Sequence, residues 1–194
     1  MGLKLPVDRG QTPLDEDEID GLLIPTISTR QELDEYEQQN IEEALQWILK
    51  RKFKAESVLN EEFIKKLHER MYGKVWGWAG QFRKTNKNIG IDRWQISSEL
   101  RLLLDDTKFW IDKKTFDPDE IAIRFKHRLV SIHCFSNGNG RHSRLMCDII
   151  IEKIFQRPVF TWGKNLEDVR AKYLATIKMA DSGDIKPLLS FSRM

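Results

Sequence analysis

Cysteine is scarce in this chain: only two occur among 194 residues, Cys134 and Cys147. Two thiols cannot build the disulfide framework of a small secreted protein, so a reducing cytoplasm is the expected location. Long apolar runs are also missing, and without about 18 consecutive apolar residues no membrane-spanning helix is predicted. The first residues lack the apolar core of a signal peptide, so secretion is not expected.

A strong net charge is absent as well, since 32 basic and 30 acidic residues leave only +2. This balance does not indicate a general nucleic-acid-binding protein. The charges are nevertheless unevenly placed: residues 15–43 contain eleven acidic side chains and one basic one, whereas residues 121–147 contain no carboxylate. The second stretch predicts an electropositive pocket for a polyanion, which the acidic segment could cover, although ordinary solvated faces would have the same composition.

Helical periodicity dominates the chain, and apolar residues, at 40%, suffice for a core. Residues 145–155 are apolar on nearly every side and predict a buried central helix. Residues 86–96 lack helical spacing, and their Asn-Ile-Gly step predicts a small hairpin or loop. The expected fold class is mainly α, with residues 1–28 as an N-terminal arm and residues 29–194 as a single helical domain. Four of the helices are predicted to begin at or just after Thr29, Asn60, Ser97 and Asp117.

One histidine stands out as a candidate general base. His133 is expected at the end of the helix that begins after Asp117, directly before a glycine-rich segment. Imidazole titrates nearest neutrality of all side chains, so this ring can accept a proton at working pH. The structural alternative is a histidine that only caps the preceding helix, whose C-terminus would raise the imidazole pKa.

The segment after His133 has the composition of an anion-binding turn. Gly138 and Gly140 allow close backbone approach to a ligand, and a helix N-terminus there would favour an anion. Arg141 and Arg144 are three residues apart, so they share a helix face and can fork onto phosphate oxygens. Turn chemistry alone would also favour Asn-Gly-Asn-Gly, and the two arginines could be surface residues. A base beside a polyphosphate cradle predicts transfer of a phosphorus-containing group to a hydroxyl.

Residues 133–144, His-Cys-Phe-Ser-Asn-Gly-Asn-Gly-Arg-His-Ser-Arg, resemble the signature of the Fic/Doc family, His-x-Phe-x-Asp/Glu-Gly-Asn-Gly-Arg-x-x-Arg. Segments 67–83 and 180–188 also look like parts of a Fic domain, so the resemblance covers roughly residues 55–194. The departure is Asn137, where the family usually has an acid. The fixed positions that match are His133, Phe135, Gly138, Asn139, Gly140, Arg141 and Arg144.

The resemblance implies a Fic-type helical bundle with a small β-hairpin flap before the motif. It also implies a magnesium-dependent protein adenylyltransferase that moves AMP from ATP to a Ser, Thr or Tyr hydroxyl, with His133 as general base. Asn137 would be a weak metal ligand, because its amide oxygen is neutral. The complete Gly-Asn-Gly-Arg favours adenylylation over phosphorylation. The residues expected to hold the nucleotide are Ser136, Gly138, Asn139, Gly140, Arg141 and Arg144.

The family's flap docks the target peptide, and Ile91 and Trp94 would be the docking side chains here, unless residues 89–96 are an ordinary surface loop. Residues 28–32 partly resemble the family's inhibitory helix motif, although a capping box explains Glu32 equally well. A separate small antitoxin-like inhibitor protein is the other option. Two further readings stay open: a non-catalytic regulator that binds nucleotide or a partner, and a transferase with another donor, such as a kinase-like enzyme. Neither nucleic acid nor membrane is an expected partner.

Overall fold

The computed structural model describes residues 16–164 and 166–194. Residues 1–15 of the predicted N-terminal arm therefore lie outside the described part of the chain. None of the described helices is both long and apolar enough to cross a lipid bilayer. The helices are α1 (Glu16–Ile19), α2 (Arg30–Leu49), α3 (Ala55–Val58), α4 (Glu61–Tyr72), α5 (Ile96–Lys113), α6 (Pro118–Ile132), α7 (Asn139–Ile149), α8 (Val169–Asp181) and α9 (Lys186–Ser192).

The four predicted helix starts are confirmed to within one residue, and local capping chemistry decides three of them, those of α2, α4 and α6. The side chain of Thr29 accepts the backbone N–H of Glu32, and the Glu32 carboxylate accepts that of Thr29, forming the capping box of α2. Asn60 accepts the N–H of Phe63 at 2.8 Å and so caps α4. Helix α5 begins at Ile96, one residue before the predicted start.

Helices α6 and α7 form the central pair and carry the motif between them. Asp117 caps α6, with its carboxylate accepting the N–H of Asp119 at 3.0 Å. Six residues, 133–138, join the two helices. Helix α7 continues as a π-helical turn over Ile150–Ile154, and this run is largely buried, as the sequence predicts. Helix α5 packs on α6, α2 packs on α4, α4 packs on α7, and α8 packs on α9.

The predicted β-hairpin over residues 86–96 is wrong: this segment is a loop followed by a 3₁₀ turn, Arg93–Gln95. Its backbone polar groups are satisfied by side chains instead of by a second strand. The guanidinium of Arg83 donates to the carbonyls of Thr85 and Ile91, and this ties the two ends of the loop together. A segment held in this way needs no cross-strand ladder, so the alternative of a loop is the one that forms.

The described part of the predicted arm packs against the helical domain. The N–H of Leu23 donates to the carbonyl of Val75 at 2.9 Å, and the N–H of Gly77 donates to the carbonyl of Gly21 at 2.8 Å. These two bonds form an isolated antiparallel bridge and fix the chain before α2. The side chain of Ile27 is buried in the main core. The boundary at residue 28 stays a prediction.

Candidate active site

The position of His133 is set by the end of α6. The residue is the C-cap of this helix and has left-handed backbone angles, with φ 57° and ψ 60°. Its carbonyl accepts the Nε of Arg83 at 2.6 Å. Gly90 packs directly against it, because a Cβ on Gly90 would lie 2.5 Å from the His133 Cβ. His133 is thus held by the side chain of Arg83 and by Gly90 in the loop that follows it.

The imidazole of His133 is neutral at physiological pH. It is only 5% exposed. Burial lowers its pKa to about 4, and the positive charges of Arg83 and Lys87 add to this effect. The end of α6 does raise the pKa, as expected from sequence, through a hydrogen bond to the Val130 carbonyl, but desolvation and the two cations outweigh this contribution. A neutral ring has a nitrogen lone pair that can accept a proton.

The turn after His133 is closed by the side chain of Asn139. Its Oδ1 accepts the N–H of Phe135 at 2.9 Å, and its Nδ2 donates to the carbonyl of Phe135 at 2.7 Å. The residue is 4% exposed. Because both ends of the amide are occupied, only the backbone N–H of Asn139 is left to meet an anion at the start of α7.

The same turn rests on a buried histidine of α4. The N–H of Gly80 donates to Nδ1 of His68 at 3.1 Å, so His68 carries its proton on Nε2 and donates it to the Asn137 carbonyl at 3.0 Å. Burial lowers the pKa of His68 well below its usual range, which keeps this tautomer neutral. The ring stacks on Phe135 with 3.7 Å between centroids. Phe135 is fully buried and anchors the turn in the core.

The two motif glycines differ in what surrounds them. Gly138 has φ 75°, and a Cβ there would meet the buried Tyr72 ring at 2.5 Å. Gly140 has helical geometry at the start of α7, and a Cβ there would meet nothing within 4 Å. Packing within the described chain explains the first glycine and leaves open space beside the second. Ser136 lies in the same turn and is 4% exposed.

Arg141 is oriented by an acid of α2. Its guanidinium lies 5.1 Å from the ring centroid of Tyr72 and pairs with the Glu37 carboxylate at 2.5 Å. Glu37 is 1% exposed, and its second oxygen accepts the indole N–H of Trp76 at 2.7 Å. The ion pair with Glu37 thus orients Arg141, whose side chain is still 33% exposed. Donors on the exposed edge can still face an anion.

Arg144 is held differently from Arg141. Its guanidinium lies 5.4 Å from the ring centroid of Tyr173 on α8. Across residues 16–164 and 166–194 it has no hydrogen bond and no ion pair with another side chain. Burial raises the pKa of the Tyr72 phenol well above its usual range, and the positive charges of Arg141 and Arg144 partly oppose this rise. Both guanidinium groups are thus close enough to the Tyr72 hydroxyl to act on it electrostatically.

Comparison with known proteins gives a consistent result for the part of the chain that contains this loop. The sequence model of the Fic/DOC family matches residues 58–151. These residues belong to the Fic/Doc family. A protein adenylyltransferase Fic from Aedes aegypti is 30% identical over 132 residues, which are 66% of this chain and 26% of that protein. The chain thus spans about a quarter of that relative's length.

Two solved Fic structures have the same fold as this chain. A fragment of Fic-1 from C. elegans superposes with a TM-score of 0.66 at 24% identity, over 90% of this chain and 51% of that one. BepC from Bartonella tribocorum, solved with bound AMPPNP, superposes with a TM-score of 0.67 at 17% identity, over 92% of this chain and 97% of that one. At these identities the likeness establishes the fold, and the predicted mainly α, Fic-type bundle is confirmed.

The Fic motif of this chain offers little to a metal ion. The Asn137 amide oxygen accepts the N–H of Gly138 at 2.6 Å, so the one neutral oxygen at this position is partly engaged. Within the described residues, no group of three or more His, Cys, Asp or Glu side chains gathers in metal-binding geometry. Mg²⁺ at this place would fit only with phosphate oxygens as its main ligands.

The flap segment of the Fic domain presents one of its two predicted docking side chains to solvent. Trp94 is 76% exposed, and the guanidinium of Arg93 lies 3.9 Å from its ring centroid. Ile91 is partly buried against the core, and its carbonyl is held by Arg83. The segment can therefore offer Trp94 to a target, while the side chain of Ile91 is largely committed to packing.

Glu32 does not reach either motif arginine. Its carboxylate accepts the N–H groups of Ser28 and Thr29 at 2.8 and 2.9 Å, and these bonds lower its pKa. The capping-box alternative is thus the correct one. The acid that does meet the motif is Glu37, which the sequence reading missed. The sequence feature that could have indicated Glu37 is its position on the apolar face of α2, between Leu33 and Ile41.

Proposed function

We propose that this chain transfers AMP from ATP to a hydroxyl side chain of a protein. The observation that carries this proposal is a buried, neutral imidazole, His133, joined by five residues to a helix N-terminus with open space beside Gly140. The relatives named protein adenylyltransferase and the AMPPNP bound by BepC point to the same donor class. Because the chain spans about a quarter of the Aedes aegypti relative, the activity of the whole protein is part of this proposal.

In the proposed reaction the target hydroxyl oxygen attacks the α-phosphorus of ATP, and His133 accepts the hydroxyl proton. The bond from the α-phosphorus to its bridging oxygen breaks, and pyrophosphate leaves. Free N–H groups at the start of α7 and the guanidinium of Arg141 would hold the α- and β-phosphates, and Arg144 would hold the γ-phosphate. These groups neutralise the charge that develops on the phosphate oxygens. Ser136, Gly138, Asn139 and Gly140 would line the cradle.

Asn137 is the residue that would hold Mg²⁺ in this reaction, together with phosphate oxygens. The ion would neutralise phosphate charge during the displacement. A neutral amide oxygen binds Mg²⁺ less strongly than a carboxylate, and this one already accepts the Gly138 N–H. The nucleotide must then supply most of the coordination.

Asn137→Asp is therefore expected to lower the Mg²⁺ concentration needed for half-maximal transfer, because a carboxylate adds a charged ligand. The measurement is AMP transfer as a function of Mg²⁺ at fixed ATP, with Asn137→Ser as a neutral control. An unchanged magnesium requirement in Asn137→Asp would show that position 137 does not touch the ion.

The reaction itself is tested with ATP labelled at the α- or the γ-phosphate and incubated with cell lysate. Label from the α-phosphate on protein is the expected result. Label from the γ-phosphate would instead support a kinase-like enzyme. No label from either would favour a non-catalytic regulator, the alternative that Asn137 suggests. Recovery of the labelled protein by mass spectrometry identifies the target, which we expect to dock beside Trp94.

A further inference from the structure

A fully buried lysine lies beside the motif helix. Lys126 is on α6, one face of which packs on α7, and its side chain is 0% exposed. Its ammonium nitrogen has no hydrogen-bond partner. The nitrogen lies 4.5 Å from the ring centroid of Tyr173. Burying an ammonium group without a hydrogen-bond acceptor costs folding free energy, so such a group in a core is unusual.

The same tyrosine ring is shared with Arg144. The ring centroid of Tyr173 is 4.5 Å from the Lys126 nitrogen and 5.4 Å from the Arg144 guanidinium, so the two cations are at most about 10 Å apart. The Lys126 nitrogen has no hydrogen-bond partner, and no ion pair is formed by Arg144 within the described residues. Two like charges placed this close repel each other when no counter-ion accompanies them.

The groups facing Lys126 do not balance its charge. Burial raises the pKa of Cys147 on α7 well above its usual range and that of Tyr173 on α8 to about 12, so both are neutral at physiological pH. Among the described residues, the carboxylate whose charge acts on Lys126 is that of Asp181 on α8, and it is bonded to His127 at 2.8 Å. Asp148 on α7 is a second nearby acid: burial raises its pKa to about 6, the Arg144 charge opposes this rise, and its carboxylate accepts the indole N–H of Trp162. Neither acid accepts a hydrogen bond from the Lys126 nitrogen.

We propose that Lys126 and Arg144 form a paired cation site for the distal phosphates of a nucleotide, in which Lys126 acts through space from the face of Tyr173. Lys126 is a positioning and charge-supplying residue, because its enclosed nitrogen does not touch the ligand. This inference rests on the proposed function for the identity of the nucleotide, but it requires only that a polyphosphate binds at Arg144.

The pair makes polyphosphate binding depend on pH. Burial lowers the pKa of Lys126 to about 7, with Arg144 contributing in the same direction. An anion that neutralises Arg144 raises this pKa, so the protonated lysine binds polyphosphate better. The extra affinity is present below pH 7 and is lost as the pH rises through the higher pKa of the complex. A rise of about one unit corresponds to a tenfold tighter complex.

The test is calorimetric titration of the full chain with inorganic triphosphate, ATP and AMP between pH 6.5 and 8.5. Buffers of different ionisation enthalpy report the protons taken up. Lys126→Met should weaken triphosphate and ATP about tenfold at pH 6.5 and remove the proton uptake that exceeds that of the ligand itself. AMP, which lacks the distal phosphates, should bind parent and variant alike. Lys108→Met, which removes an exposed lysine of α5, is the matched control and should match the parent.

Lys126→Met should fold, because it exchanges an unpaired buried cation for an apolar side chain of similar length, and Lys126→Gln serves as a second variant. The proposal fails if both variants keep the parent's triphosphate affinity and proton uptake, or if the parent binds no triphosphate. Normal triphosphate binding without protein labelling would contradict the proposed AMP transfer but would not contradict the cation pair.

Discussion

His133→Ala should reduce AMP transfer to protein by roughly 10²–10⁴-fold, the range by which a general base accelerates such reactions. The buried, neutral imidazole is the only titratable group of the motif loop placed to accept the hydroxyl proton, given that Cys134 is a buried thiol with its pKa raised to about 12. The measurement is the initial rate of label transfer from α-labelled ATP at fixed target and magnesium. Nucleotide affinity should change little, because the loop is anchored by other residues.

A second histidine provides the control for this variant. His127 lies on α6 as well, but it pairs with Asp181 at 2.8 Å, away from the motif loop. His127→Ala should keep transfer within a few-fold of the parent. Persistent labelling by a correctly folded His133→Ala protein would contradict the assignment of His133 as the general base.

Gly138→Ala should destabilise the fold by roughly 2–5 kcal/mol, a large part of the stability of an ordinary domain. Two costs add at this position. A non-glycine residue is strained at φ 75°, and its Cβ would lie 2.5 Å from the ring of Tyr72, which is fully buried and cannot move aside. The free energy of unfolding in urea, compared with the parent, measures the loss.

Gly140→Ala is the matched control, because it makes the same chemical change two residues later. A Cβ there meets nothing within 4 Å and the backbone is helical, so we expect a gain of about 0.5–1 kcal/mol in stability. Triphosphate binding should nevertheless weaken, since the open space beside Gly140 is where a phosphate would lie. Equal destabilisation by both alanines would refute the packing argument, and unchanged triphosphate binding would refute the cradle.

The helix starts could be predicted because their causes are local. Thr29, Asn60 and Asp117 each bond a backbone N–H within three residues, so sequence spacing contains the whole interaction. The hairpin prediction failed for the opposite reason. The loop over residues 86–96 is held by Arg83 and packed on His133, and neither contact leaves a periodic trace in the sequence.

The candidate site was predictable to the same extent. The motif residues are contiguous, so their identities and their family resemblance were visible from the sequence. Their partners are not contiguous: Glu37 pairs with Arg141 across 104 residues of sequence, and Tyr173 meets both Lys126 and Arg144 from α8. The immediate sequence neighbours mark neither Glu37 nor Lys126, yet both side chains are almost completely buried in the fold.

The sequence by itself determined the helical class, the starts of α2, α4 and α6, the glycine-rich turn and the family, because each rests on spacing within one segment. Only the tertiary structure decided the charge state of His133, the orientation of Arg141 and the pairing of Lys126 with Arg144. Desolvation and Coulomb interactions depend on which distant groups come together, and chain order does not encode this directly.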